Sequence, residues 1–162
     1  MEANNQGIEL VIYENELFMK EGDGLTMLEQ IECHSRRIFR YKDKVIKLDA
    51  RATNDWAEQG EREVEFYLNE LDDCDKDYFL EPMGWGVATQ VTWRKGTKNA
   101  EGEPLRPRFW IMQHYVDFTF PEGEEIPYGL SEIIEKYNLW DIDEDRNWAW
   151  DGEVPVIYDS FS

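Results

Sequence analysis

Residues 28–50 read LEQIECHSRRIFRYKDKVIKLDA, and this stretch decides the fold. Its three runs, LEQIEC, RRIFRYKD and KVIKLDA, place β-branched or aromatic residues at alternate positions, the period of a strand with two unlike faces. The YKDK between the last two is a turn signal. The stretch therefore predicts an antiparallel meander whose third strand carries Lys47 near its end.

Downstream, DWAEQGEREVEFYLNEL spaces Val64, Tyr67, Leu68 and Leu71 as a helix does, with Asn54 or Asp55 available as N-cap. GWGVATQVTW and PRFWIMQHYV are two further strand-like runs. Between them, RKGTKNAEGEPLRP is rich in Gly, Pro and charge and reads as an exposed hairpin loop. YGLSEIIEKYNL predicts a short helix with Ser131 as N-cap and Ile133, Ile134 and Tyr137 on its buried face. The terminal RNWAWDGEVPVIYDSFS reads as strand, turn at Asp151-Gly152, strand. Upstream, IELVIYENELFM alternates only weakly before EGDG, which suggests a strand or short helix and then a loop.

Composition bounds the function. With 162 residues the chain is long enough for one domain, and 41% apolar with 14% aromatic residues can fill a core. Thirty-six acidic against seventeen basic side chains leave a formal charge of −19, which repels phosphate backbones and disfavours direct nucleic acid binding. The same field would attract a basic partner, or let the protein occupy a nucleic-acid-binding groove on another protein. Cys33 and Cys74 form no CxxC pair and read as free thiols of a reducing compartment. No apolar run reaches the roughly 20 residues that cross a bilayer, so a soluble, cytoplasmic protein without membrane contact is expected.

The order is strand, strand, strand with Lys47, helix with Glu63, two strands, a linker, a short helix, a loop with Asn147, and a strand ending at Asp159. Carried by VIKLD, GEREVEFYLNEL, RFWIMQHYV and RNWAWDGEVPVIYD, it resembles the protein-kinase-like fold, and especially the small kinase-like proteins of phages. The resemblance implies a single α+β domain: an N-terminal extension over 1–27, a protein-kinase-like N-lobe of antiparallel sheet plus one main helix over 28–117, and a much reduced C-terminal lobe over 118–162. It also implies site roles. Holding a nucleoside triphosphate needs a cation on the phosphates, a carboxylate to fix that cation, and oxygen ligands for magnesium. Lys47 would be the cation and Glu63 its partner, with Glu65 as the fallback. Asn147 and Asp159 would ligate the metal, and Asp141 or Asp143 would lie near the accepting hydroxyl. His114, Tyr115 and Val116 would meet an adenine edge, and ATP with magnesium would be the cofactors of a working site.

Several positions depart from that pattern. The turn IECHSRR has no glycine where a phosphate cradle needs close backbone approach, although Arg36 and Arg37 could neutralise phosphates. Five residues before Asn147 stands Ile142 instead of Asp, and Asp159 is followed by Ser160 and Phe161 with no glycine. The sequence thus points to a degenerate kinase-like protein that binds a host protein in the host cytoplasm, for counter-defence or host takeover. Its oligomeric state is left open. One alternative is an active minimal phosphotransferase using Lys47, Glu63, Asp141, Asn147 and Asp159; another is an acidic nucleic-acid mimic. Blander roles are also open: Lys47 as an edge-strand lysine, Glu61, Glu63 and Glu65 as solvated helix charges, and Trp140, Trp148 and Trp150 as core. His34 and His114 lack the partners of a nucleophilic triad.

Overall fold

The computed structural model of the chain describes residues 2–33, 36–49, 59–91, 108–139 and 147–159. Eight strands form one sheet: β1 (Leu10–Tyr13), β2 (Glu16–Glu21), β3 (Gly24–Met27), β4 (Glu29–Cys33), β5 (Arg36–Tyr41), β6 (Lys44–Asp49), β7 (Gly84–Val91) and β8 (Arg108–His114). Their order across the sheet is β3-β2-β1-β7-β8-β6-β5-β4. Neighbours are antiparallel except β1 and β7, which run parallel, so the sheet is mixed.

The two edge strands, β3 and β4, are separated in sequence by Leu28 alone. Laid flat, eight strands spaced about 4.8 Å apart would hold their edges about 34 Å apart, whereas one intervening residue spans about 7 Å. The sheet must therefore curl until its edges meet at that corner, which makes it a nearly closed barrel. Leu28 is buried there, and its N–H donates to the Leu17 carbonyl at 2.9 Å. Alternate residues fill the interior: Leu10 and Ile12, Leu17 and Met19, Phe39, Ile46 and Leu48, Ala88, Trp110 and Met112. Gly86 lets Trp110 lie across β7, since a Cβ there would sit 3.3 Å from its ring.

Outside the barrel, helix α1 (Gln59–Glu65) runs directly into a π-helical turn over Phe66–Glu70. Val64 packs on Trp85, Phe109 and Ile111 of the outer face. A 3-10 turn over Asp73–Tyr78 follows. Helix α2 (Tyr128–Tyr137) and the hairpin β9 (Trp148–Asp151) and β10 (Val154–Ile157) build a second, smaller core from Leu130, Ile133, Leu139, Trp148 and Ile157.

The meander over β4, β5 and β6, the strands β7 and β8, and the terminal hairpin stand where their periodicity placed them. The protein-kinase-like fold class, an antiparallel sheet plus one main helix followed by a reduced C-terminal lobe, is overturned. Residues 10–27 are no extension, because they supply three of the eight strands and the parallel pairing that closes the sheet. The helix that was to dominate is seven described residues long. Two local readings also change. The π turn advances the register, so Leu68 is exposed and Phe66 takes the buried position. Helix α2 begins at Tyr128 after Pro127, so Ser131 lies inside it and its N–H bonds the Pro127 carbonyl. The proposed caps Asn54 and Asp55 lie outside the described residues.

Candidate functional site

On the outer face of the barrel, strand alternation does something costly. Arg36 and Ile38 of β5 stand opposite Asp49 and Lys47 of β6, so the face that should be apolar carries two cations and a carboxylate. Arg36 is 2% exposed, Lys47 1% and Asp49 2%. Isolated charges cannot be buried at such depth without partners. Two elements laid over the face provide them: α1, which brings Glu63, and the segment after β10, which brings Tyr158 and Asp159.

Arg36 is the hub. Its Nη2 lies 2.7 Å from Glu63 Oε2 and 2.7 Å from Asp159 Oδ1. Gln59 also donates to Asp159 Oδ1, and Gln113 Nε2 donates to Glu63 Oε1 at 3.3 Å. Burial works to lower the Arg36 pKa, but Glu63, Asp159 and Asp49 more than offset it and hold the guanidinium charged. Asp49 accepts the Gly60 N–H with both carboxylate oxygens, 3.1 Å each, and so anchors the first turn of α1.

Lys47 is bound differently. Its Nζ donates to the Tyr158 carbonyl at 2.6 Å and lies 4.4 Å from the centre of the Tyr158 ring. Burial pushes its pKa down to about 8, partly countered by Glu63. The Tyr158 hydroxyl donates to Glu32 Oε2 at 2.6 Å, and burial with that carboxylate drives its pKa well above the usual tyrosine value.

A cavity of about 230 Å³ opens on the other side of Tyr158. Its walls are Val45, Leu80, Phe118, Phe120 and Tyr158, with Ile31 and Glu32 from β4 and residues 114–117 along one side. The register of β4 against β5 shifts between Gln30 and Glu32, a bulge that sets Ile31 and Glu32 at this wall. Phe118 and Phe120 both meet the Tyr158 ring edge-on, with centroids 5.1 Å away.

The residues read from sequence are thus partly gathered. Lys47, Glu63 and Asp159 share one buried cluster, and Glu63 faces it whereas Glu65 is exposed. Among the described residues, however, Glu63 pairs with Arg36 and not with Lys47. Asn147 and Asp159 are neighbours because the Asn147 carbonyl accepts the N–H groups of Tyr158 and Asp159, at 2.9 and 3.1 Å. No group of three or more His, Cys, Asp or Glu among the described residues could hold a metal ion. His114 and Val116 line the cavity, while the Tyr115 N–H is taken by the Asp43 carbonyl. Asp141, Asp143, His34 and Trp140 lie outside the described residues.

Sequence reasoning missed Arg36 as the hub, Asp49 as the helix anchor, and Tyr158 as the wall between cluster and cavity. The signal was present for the first two. In RRIFRY and KVIKLD, Arg36 and Asp49 share the parity of Ile38 and Val45, the parity of a buried face. No family model, curated protein or solved structure matches the chain.

Proposed function

We propose that the protein is a non-catalytic binding protein that engages a partner protein, such as a host nucleic-acid-binding protein, through that partner's basic surface. One observation carries this reading: Arg36 and Lys47, the cations a phosphate would need, are enclosed and already engaged by Glu63, Asp159 and the Tyr158 carbonyl. Reaching them would break a buried ion-pair network. Two cations against Asp49, Glu63 and Asp159 leave the cluster one negative charge. The other −18 of the formal −19 belongs to the rest of the chain, a field that favours a basic partner.

The test uses the purified protein against cell-extract proteins retained on DNA-cellulose. Release of a discrete protein at constant ionic strength is expected, with direct binding to it that weakens steeply as salt rises. A polyglutamate control should release no such discrete species. Magnesium-dependent phosphotransfer from ATP that disappears in Asp159→Asn would refute the reading, and so would partner binding indifferent to salt.

A further inference from the structure

We infer that the cavity beside Tyr158 is a binding site for an uncharged, two-ring aromatic molecule, held through its ring faces and edges. This goes beyond the basic-partner reading and does not depend on it.

Size sets the first bound. A dry apolar cavity of about 150 Å³ holds one benzene, and pockets for drug-sized ligands begin at about 300 Å³. The cavity here, about 230 Å³, lies between them and has about half as much room again as the single-ring case. Two fused rings match that increase.

Depth decides polarity. Val45 and Tyr158 are buried in one apolar cluster, with Leu80, Phe118 and Phe120 half-buried against it, and all five line the cavity. His114, Tyr115 and Asp117 are exposed, so their polar groups stand at the mouth, in water. Farther in, the Tyr158 hydroxyl already donates to Glu32. A guest that enters meets mainly hydrocarbon, and a polar body would give up its water without replacement.

Charge selects neither sign. Glu32 attracts Lys47, which lies 4.4 Å from the centre of the Tyr158 ring, and Arg40 lies 3.5 Å from that of Tyr115. Carboxylates and cations thus both border the cavity. An ion of either sign would meet repulsion as well as attraction and would lose hydration, which an uncharged guest avoids.

The rings favour an aromatic guest over a saturated one. Phe118 and Phe120 meet the Tyr158 ring at 72° and 86°, the edge-to-face arrangement that ring quadrupoles prefer. A further ring extends this packing. A saturated guest of similar size buries the same surface without the quadrupole attraction.

The experiment titrates 2-naphthol, uncharged at neutral pH, into the whole chain while backbone amide shifts are followed by NMR. It is expected to move the amides of residues 114–120 and to bind about threefold or more tighter than its saturated analogue decahydro-2-naphthol. Its affinity should exceed those of N-methylquinolinium and naphthalene-2-sulfonate, two ions of similar size, by about tenfold or more. Phe118→Leu, which replaces a ring of the wall by an aliphatic group, should cut the preference over the saturated analogue by about twofold or more. Leu80→Trp, which fills the cavity, should abolish the shifts, with amide dispersion confirming that the variant is folded. If it does not fold, Phe118→Leu and the two ions decide the matter. Absence of 2-naphthol binding at millimolar concentration, equal or tighter binding of either ion or of the saturated analogue, a preference untouched by Phe118→Leu, or tighter occupation of the same residues by adenosine would each overturn the inference.

Discussion

Replacing Lys47 by methionine isolates the energetics of the cluster, because methionine keeps most of the volume and removes only the ammonium. Lys47 is 1% exposed, and its pKa falls from 10.5 to about 8, chiefly through burial. A depressed pKa on a base means that the folded chain holds this proton less tightly than the unfolded chain. Between pH 8 and 10.5 the unfolded state binds more protons, so stability rises with pH across that window. At about 1.36 kcal/mol per tenfold change in proton affinity, the penalty present below pH 8 is about 3 kcal/mol. Loss of the Nζ donor to the Tyr158 carbonyl is independent of pH, so it changes the level of the difference and not its slope. Urea denaturation of wild type and Lys47→Met from neutral to alkaline pH gives that difference directly, with titrations common to both chains cancelling. The methionine variant should be relatively most favourable at neutral pH, and its standing should decline by about 3 kcal/mol as pH rises through the window. A difference that stays flat with pH would refute the reasoning, because it would mean that Lys47 titrates alike in both states.

Arg36→Met should cost about 3–5 kcal/mol by leaving Glu63 and Asp159 together without their shared cation. The loss should shrink in an Asp159→Asn background, as a double-mutant cycle by denaturation would show. Gly60→Ala should cost about 1–3 kcal/mol, because its Cβ would stand 2.8 Å from Phe109 Cδ1 and 2.9 Å from Asp49 Oδ1; a lowered Tm is the check. Tyr158→Phe removes the hydroxyl that donates to Glu32 and should cost about 1.5–3 kcal/mol. In the folded wild type, ultraviolet titration should show Tyr158 among several tyrosines that ionise above the ordinary range, and the high-pH absorbance change should shrink by one tyrosine in Tyr158→Phe. An unchanged titration curve would refute the assignment.

How far the sequence could be read depended on whether the signal was local. The strands β4, β5 and β6 were legible because each alternates on its own and their connections are short. Strand β7 and strand β8 were legible from aromatic and β-branched content. What could not be seen was closure. Glu14 and Asn15 form the β1–β2 turn with φ of 47° and 68°, a backbone that usually advertises itself through glycine. With glutamate there instead, ENEL did not read as a hairpin, and the parallel pairing of β1 with β7 joins residues about 80 positions apart. That pairing turned the expected N-lobe into a barrel. The site shows the same division: helical parity selected Glu63 over Glu65, and hairpin geometry set Asn147 beside Asp159. Arg36 was legible as a cation for phosphates but not as a hub, because that role depends on the α1 and post-β10 segments reaching one strand face.

The buried cluster sets how charge is distributed over this side of the barrel. Arg36 and Lys47 turn inward to hold Glu63, Asp159 and the Tyr158 backbone, and Arg40 lies over Tyr115. Those cations stabilise the cover on the barrel's outer face, yet none is among the residues that line the cavity. Glu32 stands at the boundary, attracting Lys47 from one side and bordering the cavity on the other. Glu32→Gln removes a charge that helps keep Lys47 protonated, so the Lys47 pKa should fall further. Direct NMR titration of the Lys47 side chain in that variant measures the effect, and an unmoved lysine would mean that Tyr158 insulates Glu32 from the cluster.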